Sequence, residues 1–547
     1  MWLLLSGLVH VNGCVFSSVR GFLAVQWLGM TMRFIDTRGL DSSRPTFTGA
    51  LLRGIADGGG LYLPESLPSF SLSTLDALHP LNYAQRGAFV YEAFGVDIEQ
   101  HDVLRMMQKA YGAQFDDHRI APVVSLDANT HMLELWHGPT SAFKDMALQC
   151  MPRFFSFAIK RELKAGTLSR DLLILVATSG DTGSAALAGF AHRSHTNLIV
   201  FYPEGGVSDV QRTQMTSSLG MNVGVYGVQG NFDDCQRAIK EAFFDEDLQR
   251  WLREHTNLQL SSANSINWGR LMPQIIYYIS AIVDLRASGK LEDGQLLDIS
   301  VPTGNFGNIM AAWLAKQMGA PIGRLICASN KNKVLSDFIN TGVYDIRGRT
   351  FHLTASPAMD ILVSSNLERL LYYMADTERV RSWMEQLKRD GVFKVDAQTR
   401  ERIQQDFAAE YVDNDDSLHA IRSCWDHYHY LIEPHTAIAL HAAEGLRGNN
   451  PLMIVSTAHW AKFGPNVLRG LCGVPYGADR PAPYDEMNGF ELLRAVRRLA
   501  PEAAHVPNRL SSLEGACERY TKTIPADEDD INAQIKTWVE ARKLNGD

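Results

Sequence analysis

The spacing of apolar and polar positions divides the chain into stretches of different character. Between residues 32 and 125 the pattern is mixed. A Gly-rich turn, Asp57-Gly58-Gly59-Gly60, leads into LYLP, and helical spacing follows around 83–112. From about residue 126 short apolar runs recur, each ending in a small-residue loop. Leu172–Ala177 precedes TSGDTG, Leu198–Tyr202 precedes PEGG, and Val223–Val228 precedes QGNFDD. Asp298–Val301 precedes PTGNFGN, and Leu452–Val455 precedes STAH. Runs of this length alternating with helical segments predict a mostly parallel α/β sheet. Ligands of such sheets collect at the carboxyl ends of the strands, where these five loops lie. A further helix is predicted from near Lys144 to Gly166. The charged region 375–430 reads as surface helices, and the polar tail from about 480 reads as helical.

One stretch breaks the pattern. From Met1 to Met32 the only charged side chain is Arg20. It has the length of a signal or anchor but lacks a basic start, and it lacks the arginines of a transit peptide. The reading preferred here places residues 1–31 outside the fold, with translation starting at Met30 or Met32.

Composition narrows the classes. The 547 residues are 46% hydrophobic and 21% charged, a globular mixture. At roughly 100–200 residues per domain, that length allows about three or four units. A net charge of −9 gives no global reason to bind nucleic acid. Seven scattered cysteines without a C-x-x-C pair read as buried thiols, with neither a disulfide framework nor a zinc site.

Five segments could carry chemistry. In HGPTSAFKDMALQ, Lys144 sits at a predicted helix start among Trp136, Phe143 and Met146. The positive end of a helix and an apolar setting both lower a lysine's pKa, and Schiff-base chemistry needs a neutral amine. The plainer reading is a surface lysine beside a capping Asp145. In TSGDTGS, Ser179, Gly180, Asp181 and Thr182 precede a helix and form either an anion-binding turn or an ordinary cap by Ser179 or Asp181. The glycines of Gly304-Asn305-Phe306-Gly307-Asn308 let backbone close on a phosphate, and no dinucleotide fingerprint is present. In STAH, Thr457 is a hydroxyl at a strand end that suits a ring nitrogen or a helix cap. Around Ser265, Asn267 and Arg270, one cation and several polar groups suit a phosphate or carboxylate, or else form a polar loop. Together they describe a lysine, anion-binding turns and a hydroxyl suited to a phosphorylated aldehyde cofactor.

HGPTSAFKDMALQ, VATSGDTGSAA, SINWGRLMPQ, PTGNFGN, SPAMDILVSSNLERLL and STAH, in this order, resemble threonine synthases of the longer bacterial and fungal type, over about residues 32–525. The resemblance implies a tryptophan-synthase-β-like pyridoxal-phosphate fold of type II, with two mostly parallel α/β lobes behind an N-terminal domain. It implies pyridoxal 5'-phosphate on Lys144, its phosphate held by Gly304, Asn305, Phe306 and Asn308, and Thr457 at its ring nitrogen. It further implies that Ser179, Gly180, Asp181 and Thr182 grip a substrate carboxylate, while Ser265, Asn267 and Arg270 are the guess for the substrate phosphate. Trp460 departs from the proline of the family's STAHPAKF form, and Lys331 and Lys333 stand where an acid is frequent. The implied reaction turns O-phospho-L-homoserine and water into L-threonine and phosphate. A phospho-lyase releasing 2-oxobutyrate and a non-catalytic ligand-binding protein remain alternatives. The expected organisation is a domain at 32–125, a catalytic body at 126–480 with a mobile subdomain at about 167–250, and a C-terminal segment at 481–547 packed on that body. A cytoplasmic monomer or homodimer without membrane or nucleic-acid partners is expected.

Overall fold

The computed structural model describes residues 31–261 and 263–544. The expectation for residues 1–31 therefore lies almost wholly outside the described residues, as does Cys14. Two sheets carry the fold. The larger has six strands in the order Phe407–Tyr411, Ile322–Ser329, Leu297–Pro302, Leu452–Ser456, Thr130–Glu134 and Val123–Ser125. Every pair is parallel except the last, which is antiparallel. The smaller has five parallel strands, ordered Thr523–Pro525, Val223–Gln229, Thr196–Pro203, Asp171–Ala177 and Leu258–Ser261. The runs expected at 172, 198 and 223 thus share one sheet, and those at 298 and 452 share the other. Their near-continuous apolar character follows from helices covering both faces.

The sequence suggested one helix from Lys144 to Gly166. The structure divides it into Lys144–Leu148 and Met151–Ala165, with Gly166 in a left-handed C-cap. Gln149 and Cys150 keep right-handed backbone angles between the two, and Pro152 explains the fresh start, because it has no N–H to continue a ladder. The tail expected to be helical also supplies a strand, Thr523–Pro525, at the edge of the small sheet. Its last helix, Glu528–Leu544, places Ile531, Ile535 and Trp538 against Cys235, Ala238 and Ile239 of the small lobe.

The twenty-residue helix Trp268–Ala287 is buried on nearly every face and packs against Gly307–Gln317, Lys144–Leu148 and Tyr83–Ala93. It shares one core with Phe34, Phe47 and Tyr91 of the N-terminal segment and with Phe154 behind the lysine turn. That segment pairs Phe34–Asp36 antiparallel with Tyr62–Pro64. Among the described residues no helix is long and apolar enough to cross a membrane, and no cluster of metal-binding side chains occurs. Cys150, Cys235, Cys327 and Cys424 are buried free thiols, Cys472 is half-buried, and Cys517 is exposed.

Candidate functional site

The lysine turn is stitched to the carboxyl end of the central large-sheet strand. Leu135 N donates to Ser456 O at 3.0 Å, Phe143 N to Thr457 O at 2.7 Å, and His459 N to Ser141 O at 3.0 Å. Ser141 takes a positive φ of 57°, a conformation that non-glycine residues hold only when their surroundings enforce it. Here the enforcement includes Arg509, whose Nε donates to Ser141 Oγ at 3.2 Å and whose guanidinium pairs with Asp116. His137 lies between Glu134 and Asp116, at 2.8 and 2.5 Å. Burial disfavours its charge, but the two carboxylates outweigh that and raise its pKa to about 9.

Lys144 begins its helix and is buried. Burial pushes its pKa down to about 8. Lys462 and Arg270 add to the lowering, while Asp181 and Glu433 oppose it. Its Nζ stands 3.9 Å from Asp181 Oδ2 and 5.6 Å from the Phe143 ring centre. The plainer expectation of a surface lysine is therefore set aside. Asp145 does not cap the surface: it is fully buried and accepts from the Thr140 N–H and hydroxyl, at 2.8 and 2.7 Å. Burial raises its pKa to about 6 despite those bonds.

The 179–182 turn differs from its sequence-level picture. Its helix, Asp181–Phe190, is capped by Gly180 at φ 119°, without a side-chain cap from Ser179 or Asp181. The Gly180 and Gly183 N–H groups donate to Thr178 Oγ1 at 3.0 and 2.8 Å, so two of the backbone donors expected for an anion are spent inside the loop. Asp181 points into the protein, 2.8 Å from Lys462 Nζ and 2.9 Å from Gln211 Nε2. Burial would raise its pKa, but Lys462 and Lys144 hold the carboxyl well below the usual carboxylate range.

The 304–308 turn leaves more open. Phe306 adopts φ 63° and caps the helix Gly307–Gln317. Asn305 O accepts from Asn366, and Gly304 O accepts from Ser364 Oγ at 2.7 Å. Asn308 Oδ1 accepts from the Tyr277 and Tyr278 hydroxyls at 2.7 and 2.6 Å. Its buried Nδ2 finds no hydrogen-bond partner among the described residues. A buried amide donor beside a helix N-terminus fits a phosphate, and a buried amine of lowered pKa fits an aldehyde, so the residues present suit pyridoxal phosphate.

Thr457 is buried, and its hydroxyl donates to Glu433 Oε1 at 3.4 Å. Glu433 also accepts from the backbone N–H groups and side chains of His435 and Thr436. A cleft of about 580 Å³ is lined in part by Thr182, Ser265, Asn267, Arg270 and Asn305. Neither Lys144 nor Asp181 is part of that lining, though the charge of Arg270, which is, acts on Lys144. Asn267 spends both side-chain groups locally, donating to Leu51 O and accepting from Gly269 N, each at 2.9 Å. Arg270 donates to Ala263 O at 2.9 Å, while its buried Nε has no partner among the described residues. Burial lowers its pKa to about 10. Sequence reasoning missed Lys462, Gln211, Glu433 and Arg509. Lys462 lies five residues beyond Thr457 in the same conspicuous segment, a signal that was available.

The chain matches the family described as "Pyridoxal-phosphate dependent enzyme" over residues 126–457, and "Threonine synthase N terminus" over residues 33–111. Threonine synthase-like 1 of Homo sapiens is 42% identical over 436 residues, covering 78% of this chain and 58% of the relative. The chain thus spans less than two thirds of the length of that group of relatives. Threonine synthase of Schizosaccharomyces pombe is 36% identical, covering 79% of this chain and 87% of its own. Among solved structures, pyridoxal-phosphate-bound threonine synthase from Brucella melitensis superposes with a TM-score of 0.78 at 35% identity, covering 93% and 99% of the two chains. The yeast threonine synthase gives 0.80 at 30%, covering 94% and 99%. The fold is type II of the pyridoxal-phosphate enzymes.

Proposed function

Because the chain belongs to the threonine synthase family of pyridoxal-phosphate-dependent enzymes, we propose that it converts O-phospho-L-homoserine and water to L-threonine and phosphate. The observation that carries this is the Lys144 amine, buried and held near a pKa of 8 in part by Arg270, a residue of the cleft wall. When bound, pyridoxal phosphate supplies an aldehyde that joins to amines and a ring that absorbs negative charge from the neighbouring carbon. Lys144 would hold it covalently. Gly304, Asn305, Phe306 and Asn308 would hold its phosphate, and Thr457 would face its ring nitrogen.

The side chains divide the remaining work. Lys144, released as a free amine, takes the substrate's Cα proton, for which a pKa near the working pH is well matched. Arg270 lines the cleft, keeps a buried Nε–H without a partner among the described residues, and attracts the phosphate that leaves from Cγ. Ser179, Gly180, Asp181 and Thr182 border the substrate carboxylate, with the Asp181 charge offset by Lys462. Ser265 lies on the cleft wall, and Asn267 acts by fixing the start of the Arg270 helix. The lobe at about 167–250 is the part proposed to close and exclude stray water. The reading extends to a cytoplasmic monomer or homodimer.

The test is a phosphate-release assay with O-phosphohomoserine and identification of the carbon product. Threonine supports the synthase. The alternative reading is a phospho-lyase, for which 2-oxobutyrate would be the product. Release of neither phosphate nor product would overturn both.

A further inference from the structure

The Asp181 carboxylate is shared by two lysines that reach it from different parts of the fold. Oδ2 lies 3.9 Å from Lys144 Nζ, and Oδ1 lies 2.8 Å from Lys462 Nζ. Lys462 has no exposed surface and stands in the short turn Trp460–Phe463, beyond the large-sheet strand Leu452–Ser456. Its ammonium also donates to Thr140 O at 2.9 Å and Gln214 Oε1 at 3.2 Å, and its carbonyl accepts from Ser208 Oγ at 3.0 Å. Thr140 belongs to the lysine turn. Asp181 opens one small-lobe helix, Ser208 caps the next, Asp209–Thr216, and Gln214 lies within it. One buried cation therefore joins the end of the large sheet, the lysine turn and two helices of the small lobe.

We propose that Lys462 is a positioning residue: it engages the Asp181 carboxylate more closely than Lys144 does, leaves the Lys144 amine free to lose its proton, and latches the small lobe onto the lysine turn while doing so. The inference rests on the reading of Lys144 as the reacting amine. Attraction falls with distance, so a carboxylate at 2.8 Å from one ammonium and 3.9 Å from another is committed mainly to the first. The charged groups facing Lys144 are Asp181 and Glu433, which hold its proton, and Lys462 and Arg270, which oppose it. Lys462 itself faces Asp181, Lys144 and the buried Asp145. Without the Lys462 charge, Asp181 and Glu433 face Lys144 opposed by Arg270 alone, and the amine keeps its proton to higher pH.

The test needs no substrate. The full-length chain is freed of cofactor, and the pH dependence of Lys144 acetylation is followed by peptide mass spectrometry. Lys462→Met is expected to raise the apparent pKa of Lys144 by about one to two units. Lys462→Arg is expected to bring it back, and Asp181→Asn to lower it. A folded Lys462→Met protein, judged by circular dichroism and thermal midpoint, with an unshifted Lys144 titration would overturn the proposal. Should that variant not fold, Asp181→Asn decides: an unchanged or raised Lys144 pKa rejects the idea. Threonine formation by the wild-type chain is scored separately, so failure of the proposed reaction leaves this titration interpretable.

Discussion

Ser179–Thr182 in the small lobe and Gly304–Asn308 in the large one are built to a common plan: a buried parallel strand ends, a glycine-containing turn follows, and a helix begins. Their chemistry is nevertheless opposite. The first turn consumes two of its backbone donors on Thr178 Oγ1 and carries a buried carboxylate clamped by Lys462. The second has no charged side chain and keeps the Asn308 amide donor unmatched. Local sequence determines the strand–turn–helix geometry. Whether the turn meets an anion or encloses a charge is decided by side chains brought in from elsewhere, Lys462 in one case and Tyr277 and Tyr278 in the other.

The largest effect is expected at Lys144, the proposed point of cofactor attachment. Lys144→Ala should abolish the visible absorbance of bound cofactor and lower turnover by about 10³-fold or more. A coloured, active variant would remove the reason for contrasting the turns at all. Next, Asn308→Asp places a carboxylate where the large-lobe turn is read as receiving phosphate. Cofactor affinity, followed by spectroscopic titration, should drop by about 100-fold. Unchanged affinity would mean that the two turns are more alike than their donors suggest.

Packing separates them too. A Cβ on Gly183 would come within 2.5 Å of Thr178 Cγ2 and 2.8 Å of Met215 Sδ, whereas on Gly307 the nearest atom is Asn366 Nδ2 at 3.5 Å. Gly183→Ala should therefore destabilise by about 2 kcal/mol in denaturant unfolding, and Gly307→Ala by clearly less. The smallest effect is in pH. The folded pKa of Asp181 is depressed, so its contribution is present above the unfolded carboxylate value and is lost as pH falls through the folded one. His137, raised from 6.5 to about 9, contributes fully below 6.5 and loses its contribution as pH rises through about 9. With Asp116 partly exposed, that alkaline loss should be about 1–2 kcal/mol, and His137→Gln should flatten the thermal midpoint over that window.

Much of this architecture is legible in the chain. Strands buried on both faces appear as unbroken apolar runs, so Leu172–Ala177, Leu198–Tyr202 and Leu452–Val455 stand out. Assigning them to sheets is a different matter, because parallel partners are chosen by crossovers that leave no local mark. The helix at Lys144 looks continuous because its apolar spacing persists through Gln149 and Cys150; the restart is marked by Pro152 alone. Thr523–Pro525 is too short for any periodicity. At the site, Lys144, Asn308 and Thr457 are visible as motif residues, and the resemblance assigns them roles. The Lys462–Asp181 pair joins positions far apart in sequence, and nothing near either residue announces the other.

The edge strand Thr523–Pro525 has a consequence for the order in which this protein can be made. It pairs with Val223–Gln229, emitted by the ribosome about 300 residues earlier, and the helix after it covers the apolar faces of Cys235, Ala238 and Ile239. Until Thr523–Pro525 and the helix after it emerge, the small lobe waits with one sheet edge and one helix face open to water. Contacts of such long sequence separation form slowly. The half-built lobe is therefore the stage of synthesis at which this chain most needs protection from aggregation.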